Sequence, residues 1–147
     1  DMDPLVLDTG RYSMACDFGN MGVDAHTLYY RHLQDKGFIF TELMQNADKP
    51  CVVMTHHGCT SKSVSEHYNN PLYYATNYAY YSELSRDILD VCEKRLEPMK
   101  WVHGHMHNTA RYNVGDMCEV ILNPFGYSRF QTDFETLTGF TFETEEQ

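Results

Sequence analysis

The segment Met99-Lys-Trp-Val-His-Gly-His-Met-His107 places three histidines directly behind a short apolar run. Residues 99–102 follow Pro98 and predict a buried strand. A second segment, Cys51-Val-Val-Met-Thr-His-His57, has the same form, with two histidines behind an apolar, β-branched run at 51–54. Polar clusters that directly follow buried strands are typical of active-site loops. The two segments therefore predict one sheet whose strand ends carry the chemistry.

The regions around these strands predict an α/β chain that forms a single domain over residues 1–147. Helical periodicity covers 25–47, where Gly37 is expected to interrupt the helix, and 78–96, where apolar residues share one face. Residues 62–77 predict a long surface loop, and the first 24 residues predict short strands and loops. Further strands are predicted at 110–114 and 118–123, joined as a hairpin at Gly115-Asp116, and near 137–144.

The composition excludes several classes of protein. The 147 residues include 21 acidic and 11 basic side chains, a net charge of −10, and no basic stripe of the kind that grips nucleic acid. No apolar run approaches the roughly 18 residues of a membrane span, and no secretory leader opens the chain. The five cysteines are odd in number and lack CxxC spacing, which predicts reduced, packed thiols in a cytoplasmic protein.

The two histidine clusters favour a metal site, since imidazole binds Zn, Mn and Fe well. His105 and His107 are two residues apart and would point to the same side of an extended segment. His56 and His57 would point to opposite sides, so one of them is expected to join the site. Cys59 with His57 is a weaker alternative as a nucleophilic pair, because their spacing alone does not align thiol and imidazole.

The remaining polar candidates have more than one interpretation. The single histidines, which are His26, His32 and His67, are interpreted as surface or hydrogen-bonded residues. Arg111 is a candidate for binding a substrate phosphate, with a structural role as the alternative, and Asn108 is a candidate for orienting the histidine loop or contacting substrate. Six tyrosines between residues 68 and 81 would either stack against a base or pack in a lid or the core.

The ordered motifs resemble the C-terminal half of a calcineurin-like metallophosphoesterase. The motifs are Val52-Val-Met-Thr-His-His57, then Trp101-Val-His-Gly-His-Met-His107, then Val120-Ile-Leu-Asn-Pro-Phe-Gly-Tyr127. The resemblance spans roughly residues 12–127. It implies a β-sandwich flanked by helices, the four-layer fold of that family, of which this chain carries the C-terminal half.

The resemblance also implies a dinuclear site for two divalent ions, which would be Mn, Fe or Zn. By position, His56 and His105 would bind the second ion and His107 the first. His57 would act in catalysis at the substrate phosphate, and Gly104 would let the backbone turn close to the site. The implied reaction is hydrolysis of a small or nucleotide phosphoester by a metal-bound hydroxide.

The N-terminal motifs of that family are not matched here. Asp1-Met-Asp3 is not Asp-x-His, and Asp17-Phe-Gly-Asn20 is not followed by histidine. Three histidines cannot complete two metal shells, so the missing ligands are expected from an N-terminal segment or a second chain. Two alternatives stay open: a nuclease of the same fold, which the acidic charge disfavours, and an inactive binding or structural module.

Overall fold

The computed structural model describes Gly22 and residues 24–124. Within them, four strands form one mixed sheet in the order β1-β2-β4-β3. The strands are β1 (Cys51–Thr55), β2 (Met99–His103), β3 (Ala110–Val114) and β4 (Cys118–Leu122). The predicted α/β class is confirmed. The predictions for the first 21 residues and for the strand near 137–144, and the end of the motif at 120–127, lie outside the described residues.

The register of the sheet brings the two histidine-bearing strands to a common end. β1 pairs in parallel with β2 from Cys51 opposite Met99 to Thr55 opposite His103. β2 also pairs in parallel with β4. Since both β1 and β2 end at this last pair, the chain leaves both strands at the same edge of the sheet.

The predicted hairpin is confirmed at the other side of the sheet. β3 and β4 are antiparallel, and Val114 pairs with Cys118 around a short turn. Gly115 begins the turn at φ 66°. Glycine occupies this left-handed region without the steric cost that a Cβ atom brings, which explains the turn at this position.

The first helix, α1 (Ala25–Gln45), is continuous, so the predicted interruption at Gly37 was wrong. Glycine in a helix costs about 1 kcal/mol relative to alanine but does not remove a hydrogen bond, and packing of the helix outweighs that cost. Asp24 caps the start of α1, where its carboxylate accepts hydrogen bonds from the Thr27 amide at 3.0 Å and the Thr27 hydroxyl at 2.6 Å.

The segment between β1 and β2 is less helical than the sequence predicts. It contains a 3₁₀ turn (Ser61–Ser63), α2 (Tyr74–Asn77) and α3 (Ser85–Cys92), in place of a surface loop and one helix over 78–96. Residues 80–84 instead run beside residues 58–59 and exchange backbone hydrogen bonds with them, such as Gly58 N–H to Tyr80 O at 3.0 Å. These tertiary hydrogen bonds override the helical periodicity of the sequence.

A buried arginine joins the end of α1 to the turn after α3. Arg95 is 5% exposed, and its guanidinium donates to the carbonyl oxygens of Leu43 at 2.6 Å, of Glu97 at 3.1 Å and of Lys49. Carbonyl groups at a helix C-terminus carry partial negative charge, so a cation is stabilised there. Nothing in the sequence pattern indicated this role for Arg95.

The core lies between the sheet and the helices α1 and α3. β2 alternates strictly, with Met99, Trp101 and His103 buried. The side chains exposed by less than 2% include the largest apolar ones, which are Trp101, Ile88, Met99, Leu122 and Val120. The described cysteines are free thiols, and burial raises the pKa of Cys59 and of Cys118 to about 12. This agrees with the predicted packed thiols and disfavours Cys59 as a nucleophile.

Among the described residues, no helix combines the length and apolar character that crossing a bilayer requires.

Candidate functional site

The candidate site is the edge of the sheet where β1 and β2 end. The backbone joins the two following loops directly, because the Gly104 amide donates to the His56 carbonyl oxygen at 3.1 Å. This bond continues the parallel pairing one step beyond the last strand residues. The histidines that follow the two strands are therefore held side by side, as the sequence predicts.

Three of the predicted histidines form one cluster, which we call the strand-end cluster: His56, His57 and His105. The His105 Nδ1 and His56 Nε2 atoms are 3.0 Å apart. The ring of His57 lies 4.6 Å from that of His105 and 5.0 Å from that of His56, between centroids. The rings of both adjacent histidines lie in the cluster, and the contact to His105 Nδ1 is made by His56; the expectation that one of the two joins a metal site stays a prediction. β1 ends at Thr55, whose hydroxyl donates to the His57 carbonyl at 2.8 Å, so strand alternation stops before His56.

His105 stands in an unusual backbone conformation. Its φ is 65°, and it is the one non-glycine residue with positive φ in the described part of the chain. A hydrogen bond of 2.8 Å from the Met106 amide to the Gly104 carbonyl closes a γ-turn around it. Tyr80 stacks on its ring, with centroids 4.8 Å apart and planes 28° apart. Strain of this kind is concentrated at functional sites, because the surroundings must hold it in place.

The bend in this loop therefore falls at His105. The resemblance implied a turn at Gly104 instead. A Cβ atom at Gly104 would meet nothing within 4 Å. Gly58 is the glycine with a close approach: a Cβ there would lie 3.2 Å from Tyr81 Cβ and 3.3 Å from Ser63 Cβ. Glycine is thus required at position 58, where the loop after β1 packs closely against Tyr81 and Ser63.

We expect Gly58→Ala to lower the free energy of unfolding by about 1–3 kcal/mol, because Cβ atoms cannot move without their backbone. Gly104→Ala is the matched control and should change it by less than about 0.5 kcal/mol. Urea titrations followed by circular dichroism measure both. Equal effects of the two substitutions would show that the close approach at Gly58 is not a constraint.

A buried chain of hydrogen bonds lies next to the strand-end cluster and connects the loop after β1 to β2 and β3. His103 Nε2 and Ser63 Oγ are 2.7 Å apart, Ser63 Oγ and the Tyr112 hydroxyl are 2.7 Å apart, and Tyr112 and Thr60 hydroxyls are 2.7 Å apart. The His103 Nδ1 atom faces the Gly104 carbonyl oxygen at 3.0 Å. His103, Ser63 and Thr60 are at most 4% exposed. The sequence pattern did not indicate that Ser63 and Tyr112 would be the partners of His103.

Hydrogen-bond chemistry gives this chain a direction. A carbonyl oxygen can only accept, so the proton of His103 lies on Nδ1, and Nε2 of the neutral ring accepts from Ser63. Ser63 then accepts from Tyr112, and Tyr112 from Thr60. Burial lowers the pKa of His103 and raises that of Tyr112 to about 12, so both side chains are neutral at pH 7. The chain ties the loop after β1 to the strand that leads into His105.

The other predicted site residues lie outside the strand-end cluster. His107 is exposed, and its role as a ligand stays a prediction. Asn108 donates from Nδ2 to the Ser63 carbonyl at 3.4 Å, which agrees with the loop-orienting role. Arg111 donates to Glu119, and Arg111 and Lys100 together lower the pKa of Glu119 to about 2. The role of Arg111 at a substrate phosphate likewise stays a prediction.

The fit of the cluster to a metal ion is tested by its nitrogen separation. Two imidazole nitrogens that bind one ion at about 2.0–2.1 Å lie roughly 2.9–3.3 Å apart for bond angles between octahedral and tetrahedral. The His56 Nε2 and His105 Nδ1 atoms, at 3.0 Å, match that range. Within the described ranges no group of three His, Cys, Asp or Glu side chains suits a metal ion. A hydrogen bond between two imidazoles has the same length, so metal binding by this pair stays a prediction.

Comparisons of the chain with models of protein families, with curated proteins and with solved structures found no match.

Proposed function

We propose that the protein is a metal-dependent phosphoester hydrolase of the metallophosphoesterase type, with its active site at the common end of β1 and β2. The observation that supports it best is the approach of His56 Nε2 and His105 Nδ1 to 3.0 Å, although 49 positions separate these residues in the sequence. Two imidazoles from different loops, one of them in a strained conformation, are hard to explain by packing alone.

In this proposal, His56 and His105 hold one divalent ion and His107 contributes to a second. Bound ions would supply Lewis acidity and the positive charge that a phosphate requires in a chain of net charge −10. His57 lies beside both metal-binding rings and offers an imidazole to the phosphate group. Tyr80 holds the His105 ring in place by stacking on it.

The remaining ligands are carboxylates and histidines supplied from outside the described residues, by a preceding segment or a second chain. The exposed side chains of β1 support this part of the proposal. β1 is an edge strand of the described sheet, yet Met54 is 79% exposed and Val52 is 44% exposed. Apolar side chains on an edge strand favour coverage by further structure. Such coverage would extend the sheet toward the four-layer sandwich.

The test is hydrolysis of bis(4-nitrophenyl) phosphate by the 147-residue chain and by any longer natural product that contains it. We expect activity that EDTA removes and that Mn²⁺ or Zn²⁺ restores. The activity should follow the protein through size-exclusion chromatography, which excludes a contaminating phosphatase. Absence of turnover in both preparations with each metal would contradict the proposal and favour an inactive module.

A further inference from the structure

A cavity of about 600 Å³ opens beside the strand-end cluster. It lies between α1, the loop after β1 and the segment that precedes α3. This volume is within the roughly 300–1,000 Å³ of pockets for small molecules. His56 and His57 both line it, so the cavity begins where the proposed phosphate site ends.

The cavity is lined by four aromatic side chains, which are Phe38, Tyr78, Tyr81 and Trp101, and by charged side chains of α1. The rings of Tyr78 and Tyr81 are 5.7 Å apart and inclined by 34°. Rings of this kind bind flat π-systems by stacking.

His32 adds a polar group that the fold itself does not use. Its Nε2 atom is buried and has no hydrogen-bond partner within the described residues, and the residue lines the cavity from α1. Burial lowers the pKa of His32, so the ring is neutral at pH 7. A buried polar atom without a partner costs about 1–3 kcal/mol, which a ligand hydrogen bond would recover. The sequence indicated an ordinary surface or hydrogen-bonded residue.

We propose that this cavity binds the heteroaromatic base of a nucleotide substrate, with the base against the tyrosine rings and an edge atom of the base hydrogen-bonded to His32 Nε2. The inference rests on the proposed function, because it assigns the phosphate of the same molecule to the strand-end cluster. A purely apolar group would leave His32 without a partner. A base has both a π-face and polar edge atoms.

The unphosphorylated nucleoside tests the cavity independently of the metal site. Trp101 is the single tryptophan of the chain and lines the cavity, so its fluorescence reports on binding. In metal-free buffer we expect adenosine or uridine to change that fluorescence saturably, with a Kd on the order of 0.1 mM. Calorimetry provides a second measurement. Ribose 5-phosphate, which has no base, should not bind under these conditions.

Two variants on α1 separate base recognition from general effects. His32→Ala should weaken nucleoside binding about 5–10-fold, the loss of one hydrogen bond, and should leave folding intact because Nε2 has no partner to lose. His26→Ala, at an exposed histidine of the same helix, should leave the Kd unchanged. Equal Kd values for His32→Ala and the unmodified chain would overturn the assignment of His32.

The outcomes distinguish this inference from the proposed function. Hydrolysis of bis(4-nitrophenyl) phosphate without saturable nucleoside binding would overturn the base site and leave the hydrolase standing. Nucleoside binding without metal-dependent hydrolysis would support the base site and contradict the hydrolase. Binding of ribose 5-phosphate as tight as that of adenosine 5′-monophosphate would overturn recognition of the base.

Discussion

Replacement of Trp101 by alanine is expected to lower the free energy of unfolding by about 3–5 kcal/mol. The Trp101 side chain is 1% exposed at the centre of β2 and packs against the ring of Phe40, with centroids 6.3 Å apart. Its Nε1 atom donates to the Thr55 hydroxyl at 3.0 Å, which joins β2 to the end of β1. The substitution removes both the largest buried ring and this hydrogen bond.

The loss is large against the 5–15 kcal/mol that stabilises an ordinary domain. Urea unfolding followed by far-ultraviolet circular dichroism measures it, since the tryptophan signal disappears with the residue. Trp101→Phe retains most of the ring and should cost less, which keeps the test informative if the alanine variant does not fold. Leu96→Ala, at a side chain 78% exposed, is the matched control and should change stability by less than about 0.5 kcal/mol. A cost below 1 kcal/mol for Trp101→Ala would contradict its placement at the core.

The strands could be predicted from the sequence more closely than the helices. The strand predictions at 51–54, 99–102, 110–114 and 118–123 agree with the observed bounds to within one residue at each end. Each of these strands is a short run bounded by a turn signal. The helix predicted over 78–96 is observed only over Ser85–Cys92. It begins late because Leu84 and the residues before it form hydrogen bonds with the backbone of residues 58–59. The helical periodicity of apolar residues carries no information about such long-range hydrogen bonds.

The candidate site could be predicted in part of its membership, since His56 and His105 meet but His107 lies outside the cluster, and its geometry could not be predicted. The parallel register follows from two similar apolar segments, and it places His56 beside His105. The location of the bend at His105, in place of Gly104, depends on the Met106 amide and the stacking of Tyr80. These contacts join residues far apart in the sequence. A single sequence carries no signal for them.

Replacement of His105 by glycine is expected to reduce metal-dependent hydrolysis by at least about 100-fold. Changes to groups that merely orient a metal ligand cost 10–100-fold in affinity or activity, and a lost ligand should cost no less. Glycine is chosen because it adopts without strain the left-handed conformation that His105 has at φ 65°. It carries no side-chain atom that could take the place of Nδ1 beside His56. The backbone should therefore persist while the imidazole is lost.

Binding of Mn²⁺, followed by the electron paramagnetic resonance signal of the free ion, tests His105 without reference to turnover. We expect the affinity to fall with the activity in His105→Gly and to stay unchanged in the control His26→Ala, whose side chain is exposed on α1. The thermal midpoints of both variants should stay close to that of the unmodified chain. An unchanged Mn²⁺ affinity in His105→Gly would show that His105 is not a ligand, and its 3.0 Å approach to His56 would then be an ordinary hydrogen bond between two imidazoles.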